Sequence, residues 1–345
     1  METVKDIHNR MLTNMDDEYD KNTGSFIYDT TMPGAIEFET KAREIEAVQS
    51  KLDVENLKDD ELTRFVYQRT GISRKLATKS TTTVIISGSV GSSIQIGDLV
   101  GTDTINFVSL EDKAIDETGL MYVLVECEQF GTIGNVPANT ITKFPVSIPG
   151  LVNVYNPDQA INGYEAESDM DLRQRYYEKL QKPGKAGNKY HYLEWAKAVT
   201  GVGDARVVPR WDGPLTVKVV LIDSNKHPAS LELIDDATAY IESEMPFGAD
   251  LTVISAAGVP INISVTLTLA DGYTELVVIE TIKENITQYL QEIAFKSTFV
   301  SYAKIGSFII DSDGVLDYQE LLVNGSTVNI SIGEEEVAIM GGVNE

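Results

Sequence analysis

The sequence predicts a multidomain α+β protein: N-terminal helices, a small all-β module, then two α+β modules with antiparallel sheets. Three observations predict it. The 345 residues exceed what one ordinary hydrophobic core organises. The texture changes from helical periodicity to glycine-punctuated, β-branched runs at Thr81, and changes again near Asp169. Beyond that point helices alternate with short apolar strands. The expected modules span 1–80, 81–165, 166–257 and 258–345.

In the first module Val4, Ile7, Met11 and Met15 recur at helical spacing. Pro33-Gly34 then precedes AIEFETKAREIEAVQSKL, with Ile36, Ile45, Val48 and Leu52 near one face. Pro33 suits the first turn of that helix. A third helix follows Asp59-Asp60, carries Leu62, Phe65 and Val66, and ends at Thr70-Gly71. Such apolar faces need a partner, which is either another of these helices or another chain. The second module holds TTTVIIS, TINFVSL, YVLVECE and TITKFPV, each read as a strand of a small sandwich or barrel.

The third module opens with Ser168 and Asp171 as a near capping box for DMDLRQRYYEKL. Pro183-Gly184 ends that helix, and a second, NKYHYLEWAKAVT, aligns Tyr192, Trp195 and Val199. Strands ARVVPR and LTVKVVLI, the helix SLELIDDATAYIESEM and the strand LTVISA complete the order α-α-β-β-α-β. The fourth module reads as strand PINISVTLTLA, two helices ending in YAKIGSFII, and strands near DYQELLV, TVNIS and EEVAI. Gly-Val-x-Asp stands between helix and strand in both TGVGDARVV and DGVLDYQEL, so the fourth module is a candidate distant repeat of the third.

Fifty-three Asp and Glu stand against 28 Lys and Arg, a net charge of −25. That surface repels a phosphate backbone and an anionic bilayer, so neither nucleic acid nor membrane insertion is expected. No apolar run approaches the ~20 residues of a membrane helix. The charged N-terminus METVKDIHNRMLTNMDDEYD has no leader-like apolar stretch. Cys127 is the one cysteine, which suits a reducing compartment and a packing role. These features fit assembly in the cytoplasm.

Two stretches imitate ligand sites. Gly201-Val202-Gly203-Asp204-Ala205-Arg206 resembles a phosphate loop, but its order is helix, glycines, strand. A phosphate site needs glycines that lead into a helix N-terminus; here the nearby helix end is the negative one. Gly201 reads instead as a positive-φ residue after a helix, and Arg206 is not assigned to a phosphate. In IIDSDGVLDYQE, aligning Gly314 with the turn glycine of an EF-hand places Asp311, Asp313, Asp317 and Glu320 at ligand positions. Ile309 then occupies the first position, which needs an acid, so a solvated turn is the expectation.

His8, His191 and His227 lack metal-ligand spacing. There is no Gly-x-Ser-x-Gly elbow. Tyr176, Tyr177, Tyr190, Tyr192 and Trp195 read as packing residues ahead of an interface. No catalytic, cofactor-binding or metal residue is assigned, and no cofactor is expected.

The stretch from Gly163 to Asp223 carries more specific information. Gly163-Tyr-Glu-Ala-Glu-Ser-Asp169, Leu172-Arg-Gln-Arg175, Gly187-Asn188, Trp195, Gly201-Val-Gly-Asp-Ala205 and, further on, Pro246-Phe-Gly-Ala-Asp250 succeed one another. Upstream stand Gly24-Ser25, Arg69-Thr-Gly-Ile72, and GTIGNVPANTITKFPVSIPGLVNVYNP, with Asn139 where a glycine is common. Together these resemble the baseplate J-like family of contractile phage tails and phage-tail-like bacteriocins, well over about 20–255 and loosely beyond; Phe247 replaces a usual leucine.

The resemblance implies a structural wedge protein with no enzymatic activity, residing in the baseplate of a virion or phage-tail-like particle. It implies partners among other wedge proteins and a second copy of the chain, with N-terminal helices clasping a smaller partner. It also implies neighbouring wedges joined in a ring around the hub, with contacts that change on sheath contraction. The alternatives are a glycan- or peptidoglycan-acting enzyme carried on a tail particle and, more weakly, a calcium-binding adhesin-like module.

Overall fold

The computed structural model describes residues 2–344. In chain order the helices and strands are α1 (Val4–Thr13), α2 (Phe26–Ser50), α3 (Asp59–Thr70), β1 (Thr81–Gly88), β2 (Ser93–Ile94), β3 (Leu99–Gly101), β4 (Asn106–Ser109), β5 (Lys113–Ala114), β6 (Leu120–Cys127) and β7 (Leu151–Tyr155). There follow α4 (Asp169–Gln181), α5 (Lys189–Ala198), β8 (Val202–Pro209), β9 (Thr216–Asp223), α6 (Leu231–Glu244), β10 (Asp250–Ser255) and β11 (Ala257–Leu269). The chain continues through α7 (Glu275–Ile293), β12 (Phe299–Val300), α8 (Tyr302–Ile310), β13 (Val315–Val323), β14 (Ile330–Ser331) and β15 (Glu336–Asn344). The fold is α+β and multidomain. It divides into two compact units: Met1–Ser73 with Ser168–Tyr177, and Arg74–Glu167 with Glu178–Glu345.

In the first unit, α1 opens on a capping box in which Thr3 accepts from the Asp6 N–H and Asp6 accepts from Thr3. It packs on the first half of α2, where His8 Nε2 lies 2.8 Å from Thr31 Oγ1 and meets Tyr28 edge-on at 4.5 Å. α2 begins earlier than the sequence suggests. Ser25 accepts from the Tyr28 N–H, so the helix starts at Phe26 and Pro33 falls inside it rather than in its first turn. The cap decides the start; a proline interior to an exposed helix withholds one N–H without breaking it. α3 ends where expected, with Gly71 at φ 75°. A second small core joins Val54, Leu57, Leu62 and Val66 to Leu172 and Tyr176 of α4. The Arg173 guanidinium donates to the carbonyls of Val54 and Leu57.

The second unit begins with an antiparallel five-stranded sheet, ordered β3-β4-β6-β1-β7. Alternation sets its core: Val84 and Ile86 of β1 pair with Val123 and Met121 of β6, all buried. TITKFPV is not a strand. The Thr140 and Ile141 N–H groups donate to the side chain of buried Asn156, each at 2.9 Å, and the Thr142 and Lys143 N–H groups go to the Gly101 carbonyl. A segment whose donors are taken by one side chain and one carbonyl has no ladder to make. The last strand of the sheet is β7 instead.

The next sheet is ordered β10-β9-β8 and the last β13-β11-β15. Both are mixed, which corrects the expectation of wholly antiparallel pairing: β9–β10 and β11–β15 are parallel, while β8–β9 and β11–β13 are antiparallel. α6 lies between β9 and β10, and a strand–helix–strand crossover returns the chain in the same direction. The two sheets are arranged alike. In each, the central strand has one parallel and one antiparallel neighbour, a helix follows the central strand, and a helix precedes the antiparallel neighbour.

Candidate assembly site

The junction from α5 to β8 is built for packing. α5 is capped by Asn188, which accepts from the His191 N–H, and it buries Tyr192 and Trp195 against the β8–β9 sheet. Trp195 stacks on His191 at 3.9 Å. Tyr176 lies in the core of the first unit and Tyr190 is exposed, so the five aromatics serve different places. The helix ends at Ala198, and Gly201 takes φ 92°. A Cβ on Gly201 would stand 2.7 Å from the Tyr164 ring, and one on Gly203 would stand 2.0 Å from the Asp223 carbonyl oxygen. Both glycines are therefore required by close approach. The Gly201 carbonyl accepts from the Ser224 N–H at 2.7 Å, and the Lys226 ammonium reaches the Gly203 carbonyl at 3.0 Å.

Arg206 is committed elsewhere. Its Nη1 donates to the carbonyls of Gly333 (3.1 Å) and Glu334 (2.7 Å), and its guanidinium lies 4.5 Å from the centroid of Phe295. Beside it, Lys218 reaches Glu335 at 2.8 Å while lying 4.0 Å from the Trp211 ring. Beneath them Val220, Ile222, Ala256, Ala294 and Val337 form a buried cluster. These side chains fasten the third module to the fourth. The sequence carries no local signal of this, because the partners of Arg206 lie 127 and 128 residues away.

Two buried charged groups flank the junction. Lys197 is 7% exposed and pairs with Glu178 at 2.6 Å and Asp204 at 3.2 Å. Burial alone would lower its pKa, but the two carboxylates outweigh that and hold it above the ordinary lysine value. Asp223 closes a turn by accepting from the His227 N–H at 2.8 Å. Burial pushes its carboxyl up to about 7, against backbone N–H groups and Lys226 that favour its charged form. Burial likewise lowers His227, and burial with nearby Asp223 raises Tyr164.

The acidic run after α8 is a helix–turn–strand connection. Ile309, at the position an EF-hand gives to its first ligand, is fully buried in the core of the last module. Asp311 ends α8 and accepts from Ser307 at 3.1 Å, while Asp317 and Glu320 stand in β13. Gly314 has φ 91°, and a Cβ there would meet the Tyr273 ring at 2.4 Å. It is packed between an aromatic ring and a helix, here Val278 of α7, as Gly201 is between Tyr164 and Leu233 of α6. Among the described residues no group of three His, Cys, Asp or Glu is placed to hold a metal ion. Among the same residues no helix is long and apolar enough to cross a membrane.

In the first unit the middle and second half of α2 present apolar side chains to solvent. Ile36, Phe38, Ile45 and Val48 are 47–64% exposed, and Ala35 is the buried residue of the helix. Phe38 and Ile45 are seven residues apart and Val48 follows Ile45 by three, an apolar strip that one helix offers another.

Three family models match the chain: the baseplate J-like protein barrel domain over residues 83–163, the baseplate J-like central domain over 184–255, and the baseplate J-like protein C-terminal domain over 261–344. The phage-like element PBSX protein XkdT of Bacillus subtilis (strain 168) is 29% identical over 352 residues, covering 99% of this chain and 97% of that protein. Baseplate protein gp47 of Escherichia phage Mu is 26% identical over 207 residues, covering 56% of this chain and 57% of that one. A chain of the anti-feeding prophage baseplate, solved by cryo-electron microscopy, aligns over 98% of both chains with 11% identity and a TM-score of 0.38.

Proposed function

The chain belongs to the baseplate J-like family, and we propose that it is a structural wedge component of a contractile injection tail. It assembles with other wedge proteins and a second copy of itself into a ring around the hub. It resides in the baseplate of the particle, is put together in the bacterial cytoplasm, and exchanges inter-subunit contacts as the sheath contracts. The name of the phage Mu relative, a baseplate protein, supports this reading. Its work is packing rather than turnover. The observation that carries the partner assignment is the strip of Phe38, Ile45 and Val48, a helix face left to solvent at a cost that a helical partner recovers.

Two experiments test the proposal. Particles produced without this chain should lack baseplates in electron micrographs, and normal contractile baseplates in its absence overturn the reading. Ile45→Asp with Val48→Asp should leave the isolated chain folded by circular dichroism yet exclude it from particles. Turnover of peptidoglycan by the purified chain would favour the glycan-acting alternative instead.

A further inference from the structure

The chain carries a basic loop in an acidic whole. From Lys179 to Leu193 there are four lysines and no Asp or Glu, against a net charge of −25 overall. Lys182, Lys185 and Lys189 are exposed around the loop between α4 and α5. That loop is held beside the turn after α6: Pro246 packs on Gly187 so closely that a Cβ there would stand 2.6 Å from its Cγ. The turn in its course meets the β8–β9 hairpin, where the Asp250 N–H donates to the Leu215 carbonyl at 3.0 Å. Phe247 and Leu215 at this tip are 109% and 70% exposed. Asp212 and Asp250 also lie there, so the net positive charge belongs to the lysine loop.

The opposite character appears on the last module. No Lys or Arg follows Lys304, while Asp311, Asp313, Asp317 and Glu320 line the end of α8 and β13, all exposed. β13 is an edge strand of its sheet, and Leu316, 63% exposed, stands among these acids. One surface is a lysine loop beside a turn that bears the protruding Phe247; the other is an edge strand whose exposed Leu316 has carboxylates before and after it in the chain.

The geometry points to a head-to-tail contact between copies of this chain, the lysine tip of one seating on the acidic β13 edge of the next. The inference rests on the wedge reading and gives it a surface. Two different patches used in this way make a heterologous contact, which propagates from copy to copy and closes as a ring when the rotation permits. Charge complementarity sets the partner and register, and Phe247 against Leu316 supplies the apolar centre. It also gives the acidic run after α8 a use that cation binding does not.

The test is sedimentation of the purified full chain at low and high salt. The parent should self-associate beyond a dimer at low salt and dissociate as salt rises, because contacts between exposed charges are screened. Lys182→Glu, Lys185→Glu and Lys189→Glu together should weaken the association by about tenfold or more, since attraction becomes repulsion. Combining them with Asp311→Lys, Asp313→Lys and Asp317→Lys should restore it. In assembled particles, Lys185→Cys with Asp313→Cys should give disulfide-linked copies that neither single variant gives.

A parent that stays monomeric at low salt overturns the contact, as does association indifferent to the lysine reversals. A lysine loop that binds duplex DNA and not a second copy overturns it too. Particles that incorporate the double-cysteine chain without cross-linking sink this contact while leaving the wedge role intact. Normal baseplates without the chain sink the wedge role itself.

Discussion

The guanidinium of Arg206 lies over the ring of Phe295 at 4.5 Å, and the same group donates to two carbonyls of the loop before β15. One side chain of β8 thereby holds the end of α7 and the approach to the last strand. Arg206→Ala removes the stack and both hydrogen bonds and should destabilise the chain by about 2 kcal/mol, read from urea unfolding. Arg206→Lys keeps the charge and loses the planar fork, so it should recover less than half of that. Cleavage between the third and fourth modules in limited proteolysis should accelerate in both variants. An unchanged cleavage pattern would show that the buried cluster beneath suffices.

Lys197 is the positive centre of a buried triad, so its removal takes the neighbouring cation from two carboxylates. Lys197→Ala should cost about 3 kcal/mol, at the low end for a broken buried pair because water reaches Glu178, whose side chain is 35% exposed. Lys197→Met combined with Glu178→Gln and Asp204→Asn should cost less than the single alanine change. Equal losses in the two variants would mean that packing, not charge, is what Lys197 provides.

Gly201 and Gly314 should reject a methyl group. Each has a positive φ, of 92° and 91°, and each is overlain by a tyrosine ring. Strain and overpacking together predict a loss of about 3 kcal/mol for Gly201→Ala or Gly314→Ala. Gly248 has φ 88° with nothing within 4 Å of an added Cβ, so Gly248→Ala should lose only about 1 kcal/mol. Thermal unfolding of the three variants distinguishes them, and a Gly248 variant as damaged as the others refutes the packing argument.

Asp223 should make stability depend on pH. Its carboxyl rises from 3.8 to about 7 in the folded chain, so the folded state holds the proton more tightly than the unfolded one. Its contribution is then full below the unfolded pKa and is lost as pH rises through about 7, worth at most about 4 kcal/mol. His227, lowered by burial, acts with the opposite sign below neutrality, so the parent must be compared with the variant. Asp223→Asn should match the parent near pH 4 and exceed it at pH 8 in urea midpoint. A constant difference across that range would show that Asp223 stays ionised.

Much of this architecture is legible in the sequence because its signals are local. Ser168, Asn188 and Ser230 cap their helices through hydrogen bonds reaching three residues, and the alternation of β1 and β6 marks their buried face. Local signals also compete. Ser25 starts α2 ahead of Pro33, and Asn156 withdraws from the ladder a run whose composition suits a strand. Parallel pairing is implicit in the helix between β9 and β10, because such a crossover brings the second strand back in the direction of the first. The distant residues could not be found. Arg206 and Lys197 resemble any surface cation until the chain folds, and the exposure of the α2 strip depends on what does not cover it. The family motifs are readable because they are spread in a fixed order over several modules.

The two mixed sheets reach one arrangement by different routes along the chain. In the first, Thr216 of the central strand pairs with Asp250; in the second, Ala257 must wait for Glu336. On a ribosome the difference becomes one of timing. The third module can close as soon as β10 emerges, while β11 stays without its parallel neighbour until β15 has been made. For that interval a long, apolar-faced strand lies open, and the module before it is already a solid piece on which it can wait.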